Sequence, residues 1–321
     1  MTANISAELE RLGIGAVPIE MPTSWNVGPV LAYLFPRDPV TLIDSGLASG
    51  RSAIEQTLSA NGLSAADVRN LVLTHSHGDH IGGALWLQKA SDCRVYLHRS
   101  ELEMITDPKR AEVMRALFAP LGFDVALLDA YAARADRELP RLTPLDGGEE
   151  FESAPHILRI EHRAGHTPGH VWITDVASGA IFGGDYLIVS SPTNPGMMPD
   201  AASPTGRVPM LARYKAGLRE LADRNPPALF AGHGPPITDV PALVRRRLTR
   251  IERRTNRIGD VLAATGDTTA GELADVLYRG RARGSWDVMA EVVGHLDVLV
   301  DDGRASCRMG EDGYWHFAPT T

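Results

Sequence analysis

Short apolar runs separated by amphipathic stretches organise the first hundred or so positions of the chain. The run VTLID at 40–44, closed by Ser45 and Gly46, has the length and the turn signal of a buried strand. Positions 51–60 then place Ile54 and Leu58, with Leu63 beyond them, on one side of a helix. A second strand is expected over 71–74, a helix over 81–90 and a further strand over 95–97, so this half reads as α/β. From 157 onward the pattern changes. Positions 157–160, 171–176 and 180–182 are strand-like and too close together for crossover helices, which predicts a mixed or antiparallel sheet. Two sheets covered by helices accommodate both halves.

Two stretches need separate treatment. Between 108 and 140, Met114, Leu117, Phe118, Leu121, Phe123, Leu127, Leu128 and Tyr131 make a helical segment more apolar than a surface connection needs; a lid over a cavity and helices packed on the sheet fit equally well. The C-terminal positions 240–321 look like their own unit. A helix over 240–258 carries Arg245, Arg246, Arg247, Arg250, Arg253, Arg254 and Arg257. Thr268 and Thr269 ahead of Glu272 form a helix-start signal, a second helix spans 286–301, and short strands flank Gly310 and Gly313. Helix, helix and hairpin suggest a winged-helix-like unit, so the expected division is 1–239 and 240–321.

Composition narrows the function. The chain is 44% hydrophobic and 22% charged, ordinary for a globular protein, and its net charge of −8 argues against a general nucleic-acid binder. Cys93 and Cys307 are far apart and outside any C-x-x-C spacing, which indicates neither a disulfide framework nor a thiolate zinc site. No basic region followed by an apolar stretch opens the chain and no run of about 18 apolar residues follows, so the expected compartment is cytoplasmic and no membrane partner is expected.

Directly after the 71–74 strand stand His75, His77, Asp79 and His80. A single histidine is ordinarily structural; four ligand-type side chains in six positions offer the imidazole nitrogens and carboxylate oxygens that a borderline divalent ion accepts. Gly78 would free the backbone to turn, and Gly82 and Gly83 would let the next helix start close to the site. AGHTPGH, with His166 and His170, FAGHGPP, with His233, and GGDY, with Asp185 and Tyr186, supply what a two-metal site would still need.

THSHGDHIGG at 74–83, GHTPGH at 165–170, GGDY at 183–186 and GHG at 232–234 resemble, in identity and order, the motifs of the metallo-β-lactamase superfamily, and LIDSG at 42–46 is similar to its early strand motif. The likeness spans roughly 25–240 and implies an αβ/βα sandwich of two mixed sheets. It implies two divalent metal ions, zinc before iron or manganese, with His75, His77 and His166 on one, Asp79, His80 and His233 on the other and Asp185 between them. Asp44 would support the site from behind and His170 would be a neighbour. An aspartate at 185 where a thiolate would be wanted separates the chain from the cysteine-bearing antibiotic hydrolases. The helix-rich C-terminus resembles the layout of the β-lactamase-like protein 2 branch.

The expected reaction is attack by a metal-bound hydroxide on a small ester-like substrate, a thioester, lactone or related ester. Asp79 would also move a proton, and Tyr186 is a candidate oxyanion donor. His98, at a strand end, is the one other histidine expected near the site. The loop over 190–209, with Met197 and Met198, would border the pocket mouth. The alternative is a metal-dependent endoribonuclease or other phosphodiesterase, drawn from the β-lactamase-like protein 2 likeness and the arginine cluster. Against it, the seven arginines do not all share one helix side, and 240–321 balances twelve Lys and Arg against twelve Asp and Glu. A non-enzymatic reading makes the C-terminal unit a partner or homodimer module beside a metal sensor.

Overall fold

The computed structural model describes residues 1–24, 26–122, 124, 138–193, 195–200, 203, 205–280 and 285–320. After helix α1 (Thr2–Arg11), the first sheet takes up β1 (Val17–Met21), β2 (Val30–Phe35), β3 (Thr41–Ile43), β4 (Asn70–Val72), β5 (Arg94–His98) and β6 (Leu142–Leu145) in that spatial order. Strands β1 to β3 are antiparallel neighbours, and β3 to β6 run parallel. Their connections carry α2 (Arg51–Ala60), the one-turn α3 (Gly78–Ile81), α4 (Ala84–Ser91), α5 (Arg99–Thr106) and α6 (Arg110–Phe118). The single helix expected over 81–90 is therefore two, interrupted at Gly82 and Gly83. A Cβ on Gly82 would lie 2.5 Å from the Ala48 amide nitrogen, and one on Gly83 2.5 Å from the Ser45 carbonyl. Gly78, by contrast, has open space around its Cα and does not have a positive φ, so the turn does not demand it.

The second sheet has the order β11-β10-β9-β8-β7, with β7 (Glu150–Ser153), β8 (His156–His162), β9 (Val171–Asp175), β10 (Ile181–Gly184) and β11 (Leu229–Ala231). The strands are antiparallel except for the β10–β11 pair, which α7 (Met210–Arg224) connects.

Strand β2 shows why the sheets stack. All six of its residues are buried. By the two-residue alternation of a strand, Leu31, Tyr33 and Phe35 face β8 to β11 across the interior, while Val30, Ala32 and Leu34 face α2 and α4. Phe182 stacks on Phe230 in the interior layer and meets Tyr33 edge-on at 4.9 Å. Burying each such ring contributes about 1.5–3 kcal/mol. The outer face of the second sheet is covered by α7 and the start of α8 (Val240–Thr265). The layers are therefore helix, sheet, sheet, helix.

Beyond them come β12 (Thr268–Thr269), α9 (Ala270–Tyr278), α10 (Trp286–Asp301), β13 (Ala305–Met309) and β14 (Trp315–Pro319), with a three-stranded sheet of order β12-β14-β13. The Thr269–Glu272 capping box starts α9 where the sequence marks it. Helix α8 extends to Thr265, seven residues past its expected end. Its first half packs Val240, Leu243, Val244 and Ile251 against the second sheet's helical layer, and its second half gives Ile258 and Leu262 to the C-terminal core. Met114, Leu117, Phe118 and Leu121 enter that same core, so this part of the 108–140 segment is a packed seam and not a free lid. Phe123, Leu127, Leu128 and Tyr131 lie outside the described residues. Met197 also packs into the C-terminal core instead of facing a pocket mouth. Arg207, 1% exposed, fixes the seam with a two-pronged ion pair to Asp297 of α10. Among the described residues no helix is long and apolar enough to cross a membrane.

Candidate metal centre

Parallel strands bring their carboxyl ends to one edge, where a sheet of this kind opens a crevice. Asp44 follows β3 and His75 follows β4 in the first sheet, while Asp185 follows β10 and His233 comes two residues after β11 in the second. His166 and His170 lie in the turn that enters β9. The sheets are joined at this edge by an isolated bridge between Val30 and His233 and by the Leu31 amide, which donates to the Gly232 carbonyl at 2.8 Å. Gly232 is obligatory here, because a Cβ would sit 2.5 Å from Asp185 Oδ1 and 2.6 Å from His80 Cε1.

Two groups of ligand-type atoms result: His75, His77 and His166 in one, and Asp79, His80, Asp185 and His233 in the other. All are buried except His77, which is the solvent-facing member. In the first group, His77 Nδ1 is 3.0 Å from both His75 Nε2 and His166 Nε2. Three ring nitrogens this close can share at most one or two protons, whereas nitrogens bound at 2.0–2.1 Å around one tetrahedral ion would stand about 3.3 Å apart. In the second group His233 Nε2 lies 3.2 Å from Asp79 Oδ2, and His80 Nε2 lies 3.4 Å from Asp185 Oδ1.

Hydrogen bonds behind the rings decide which nitrogen faces inward. Asp44, held at φ 57°, accepts from the Thr74 amide through Oδ1 and from the Thr74 hydroxyl and His80 Nδ1 through Oδ2, each at 2.8 Å. With its own hydrogen given to Asp44, the Thr74 oxygen accepts from His75 Nδ1 at 3.0 Å. His233 Nδ1 donates to the Pro29 carbonyl at 3.0 Å. When neutral, His75, His80 and His233 therefore carry the proton on Nδ1, which leaves a lone pair on Nε2 facing the cleft. His80 Nε2 and Asp185 Oδ1 are buried with only their 3.4 Å contact to each other and no well-formed hydrogen bond, which suits atoms that converge on a cation.

The charges agree. Burial opposes ionisation of Asp185, yet His80 and then His166 and His233 hold its carboxyl far below the usual range. For Asp79 burial is likewise outweighed, by the His233 hydrogen bond and His80. His80 is raised well above its ordinary value despite burial, by Asp185 and Asp44, and His233 is raised by Asp79 and Asp185. That half of the cleft demands positive charge. In the other half burial, then neighbouring imidazoles, lowers His75, and His166 is lowered to about 3, leaving them neutral as ligands must be. The nitrogen and carboxylate donors, the orphaned inward atoms and the two clusters fit a pair of divalent ions.

The other expected residues divide. His170 is buried, with both ring nitrogens unpaired and its ring stacked on that of His75, so it lines the site without joining either group. His98 stacks on His162 at 3.8 Å and accepts from the Ser100 amide, behind the 165–170 turn. Tyr186 does not suit the expected role of oxyanion donor. It is buried between Trp172, Tyr214 and His170, its hydroxyl is directed toward the Ala164 carbonyl at 3.5 Å, and a Cβ on Gly217 of α7 would meet that hydroxyl at 1.9 Å. Burial also raises its pKa. Glu101 is the residue that motif reading missed. Fully buried in the first turn of α5, it accepts from the Ser76 amide and hydroxyl and, at 2.8 Å, from the Gly169 amide, tying the two histidine loops together. One glutamate in an ordinary amphipathic helix carries no local signal of this.

Residues 25–233 match the Metallo-beta-lactamase superfamily. The probable metallo-hydrolase YqjP of Bacillus subtilis is 29% identical over 300 residues, covering 88% of this chain and 91% of that protein. A beta-lactamase-like protein 2 homolog of Drosophila melanogaster is 21% identical over 80% of this chain and 77% of its own length. The atrochrysone carboxyl ACP thioesterase MYCFIDRAFT_190111 of Pseudocercospora fijiensis is 23% identical over 65% of this chain and 48% of its own length. Among solved structures, the metallo-beta-lactamase family protein TTHA1429 of Thermus thermophilus superposes with a TM-score of 0.79 at 25% identity, covering 95% of this chain and 99% of that one.

Proposed function

The chain belongs to the metallo-β-lactamase superfamily and is a metal-dependent hydrolase; from that premise we propose that it is a two-metal enzyme acting on a small ester-like substrate, a thioester, lactone or related ester. The observation that carries this reading is the set of three histidines whose Nδ1 atoms are tied back and whose Nε2 lone pairs converge with Asp79 and Asp185 on one cleft. Bound there, two divalent ions, zinc first among them, would supply a hydroxide nucleophile near neutral pH, by lowering the pKa of water from 15.7 to about 7, and would polarise the carbonyl under attack.

The residues of the chain do the rest. His75, His77 and His166 would hold one ion, and Asp79, His80 and His233 together with Asp185 would hold the other. Asp44 keeps His80 and, through Thr74, His75 in the ligand tautomer. Asp79 would take a proton from the attacking water and return it to the leaving group. Glu101 keeps the 75–77 and 165–170 loops in register. Ester chemistry is favoured by the thioesterase relative and by the overall negative charge. One observation favours the second reading, a phosphodiesterase: five arginines of α8 line a single cavity.

A parallel assay of the metal-loaded protein on acyl thioesters, lactones and single-stranded RNA, with Asp185→Asn as the blank, tests the choice. Acyl or lactone cleavage that disappears in the blank is the expected result. RNA cleavage that disappears in the blank, with no acyl cleavage, overturns the ester reading.

A further inference from the structure

Five of the seven arginines of α8 converge on one cavity, although Arg250, Arg253 and Arg257 among them stay exposed to solvent. Arg247, Arg250, Arg254 and Arg257 recur at three- and four-residue spacing and, with Arg253, line one side of a cavity of about 620 Å3 between α8 and α10. That volume suits a small organic ligand. The acidic groups on its wall are Asp287 and Glu291, so five cations face two anions. Arg254 is matched by Glu291 and by the Tyr278 hydroxyl. Arg250, Arg253 and Arg257 form no ion pair among the described residues.

Arg247 is the stronger sign. Its side chain is 6% exposed and has no carboxylate partner among the described residues. Its Nη2 donates to the Ile188 and Ser191 carbonyls, at 2.7 and 2.8 Å, but its Nε is buried without an acceptor. Burial depresses its pKa, and Arg250 and Arg246 push the same way against Tyr214. A buried guanidinium among like charges is costly unless an anion joins it. The same loop links the cavity to the metal centre: Thr193 lines the cavity while its hydroxyl donates to the Asp185 carbonyl at 2.6 Å. The Tyr278 ring and the apolar Ile251, Val288 and Ala290 give the remaining wall a surface for an organic ring.

We propose that this cavity binds a phosphate-bearing, nucleotide-sized arm on the leaving group of the substrate, held by the α8 arginines while the ester is cut in the metal cleft. The proposal rests on the ester reading for its catalytic half only. A long nucleic acid fits less well, since the arginines converge on one cavity and 240–321 as a whole is neutral.

The test uses the full-length, metal-loaded protein with ADP and coenzyme A as binding probes, and compares an acyl-coenzyme A with the same acyl group on N-acetylcysteamine, which lacks phosphate. The expected result is that Arg250→Glu with Arg257→Glu weakens ADP and coenzyme A binding at least tenfold. It should raise KM for the acyl-coenzyme A to match, with kcat and cleavage of the phosphate-free thioester unchanged. Arg250→Gln with Arg257→Gln, which keeps neutral side chains on this exposed part of the helix, should give a smaller change in the same direction. Equal probe binding by wild type and variants, or equal KM changes for both thioesters, overturns the proposal, as does binding of an RNA oligomer but not of ADP. Arginine-dependent ADP binding without cleavage of any acyl thioester or lactone leaves the anion site standing and removes the ester reading instead.

Discussion

The metal cleft and the arginine cavity are two pockets of unbalanced charge on either side of the loop that follows Asp185, and they are built in opposite ways. In the cleft, carboxylates and ring nitrogens converge, and each candidate ligand comes from a short motif at or near a strand end. In the cavity, guanidiniums converge, and the groups come from one long helix facing another. A metal site must fix several donors to within a few tenths of an ångström, which short loops on rigid strands do well. An anion site of long, flexible arginines tolerates looser placement. On the proposed reading, chemistry belongs in the first and recognition in the second.

The largest effect that separates them should come from Asp185→Asn. Turnover of every substrate should fall at least a thousandfold while ADP binding in the cavity stays as in wild type, measured by initial rates and calorimetry; His77→Ala should do the same with the fold intact by circular dichroism. Retained activity in either variant would sink the two-metal mechanism. Next comes the anchor between the regions. Arg207→Ala leaves Asp297 without its partner and should cost about 3–5 kcal/mol in denaturant unfolding, as for a broken buried ion pair. A loss under 1 kcal/mol would mean the two regions are held by apolar packing alone.

Asp44→Asn should leave the fold and the cavity unchanged but reduce metal affinity about 10–100-fold, because His80 and Thr74 lose the acceptor that orients them. Competition with a chromogenic chelator reads this directly. The smallest effect is on acid stability. Burial and then His162 lower His98 to about 4, and burial lowers His295 to about 4 with Arg254 and Lys215 aiding and Glu291 opposing. The unfolded chain therefore takes up these protons first, so stability is full above about pH 6.5 and is lost as pH falls toward 4. Thermal melts at pH 7 and pH 5 should show a lower Tm at pH 5. His98→Gln and His295→Gln should each flatten part of that slope, the first reporting on the cleft side and the second on the cavity side; an unchanged slope in both would assign acid lability elsewhere.

Much of this protein was legible residue by residue. Ile54 and Leu58 at helical spacing, the apolar run before Ser45 and the close succession of strands after 157 each specify an element locally, since one buried face fixes the period. The histidine and aspartate motifs are legible for the same reason: ligands separated by one to four residues stay together in any fold that forms the turn. Local patterns also misled. Tyr186 looked catalytic because it adjoins Asp185, but successive residues leaving a strand diverge, and its side chain went to the core under α7.

What the sequence by itself determined is the element order, the two-sheet class and the candidate ligands, because each depends on contacts within a few residues. Tertiary structure decided what depends on distant segments meeting. It brought Glu101 between Ser76 and Gly169, put Asp44 behind both His80 and Thr74, packed Met114, Leu117, Phe118 and Leu121 into the C-terminal core, and turned a stripe of α8 arginines toward α10. No spacing along the chain encodes those meetings. They follow from how four layers and a C-terminal unit bury their apolar faces together, and that packing sets which charges are left facing each other across a cavity.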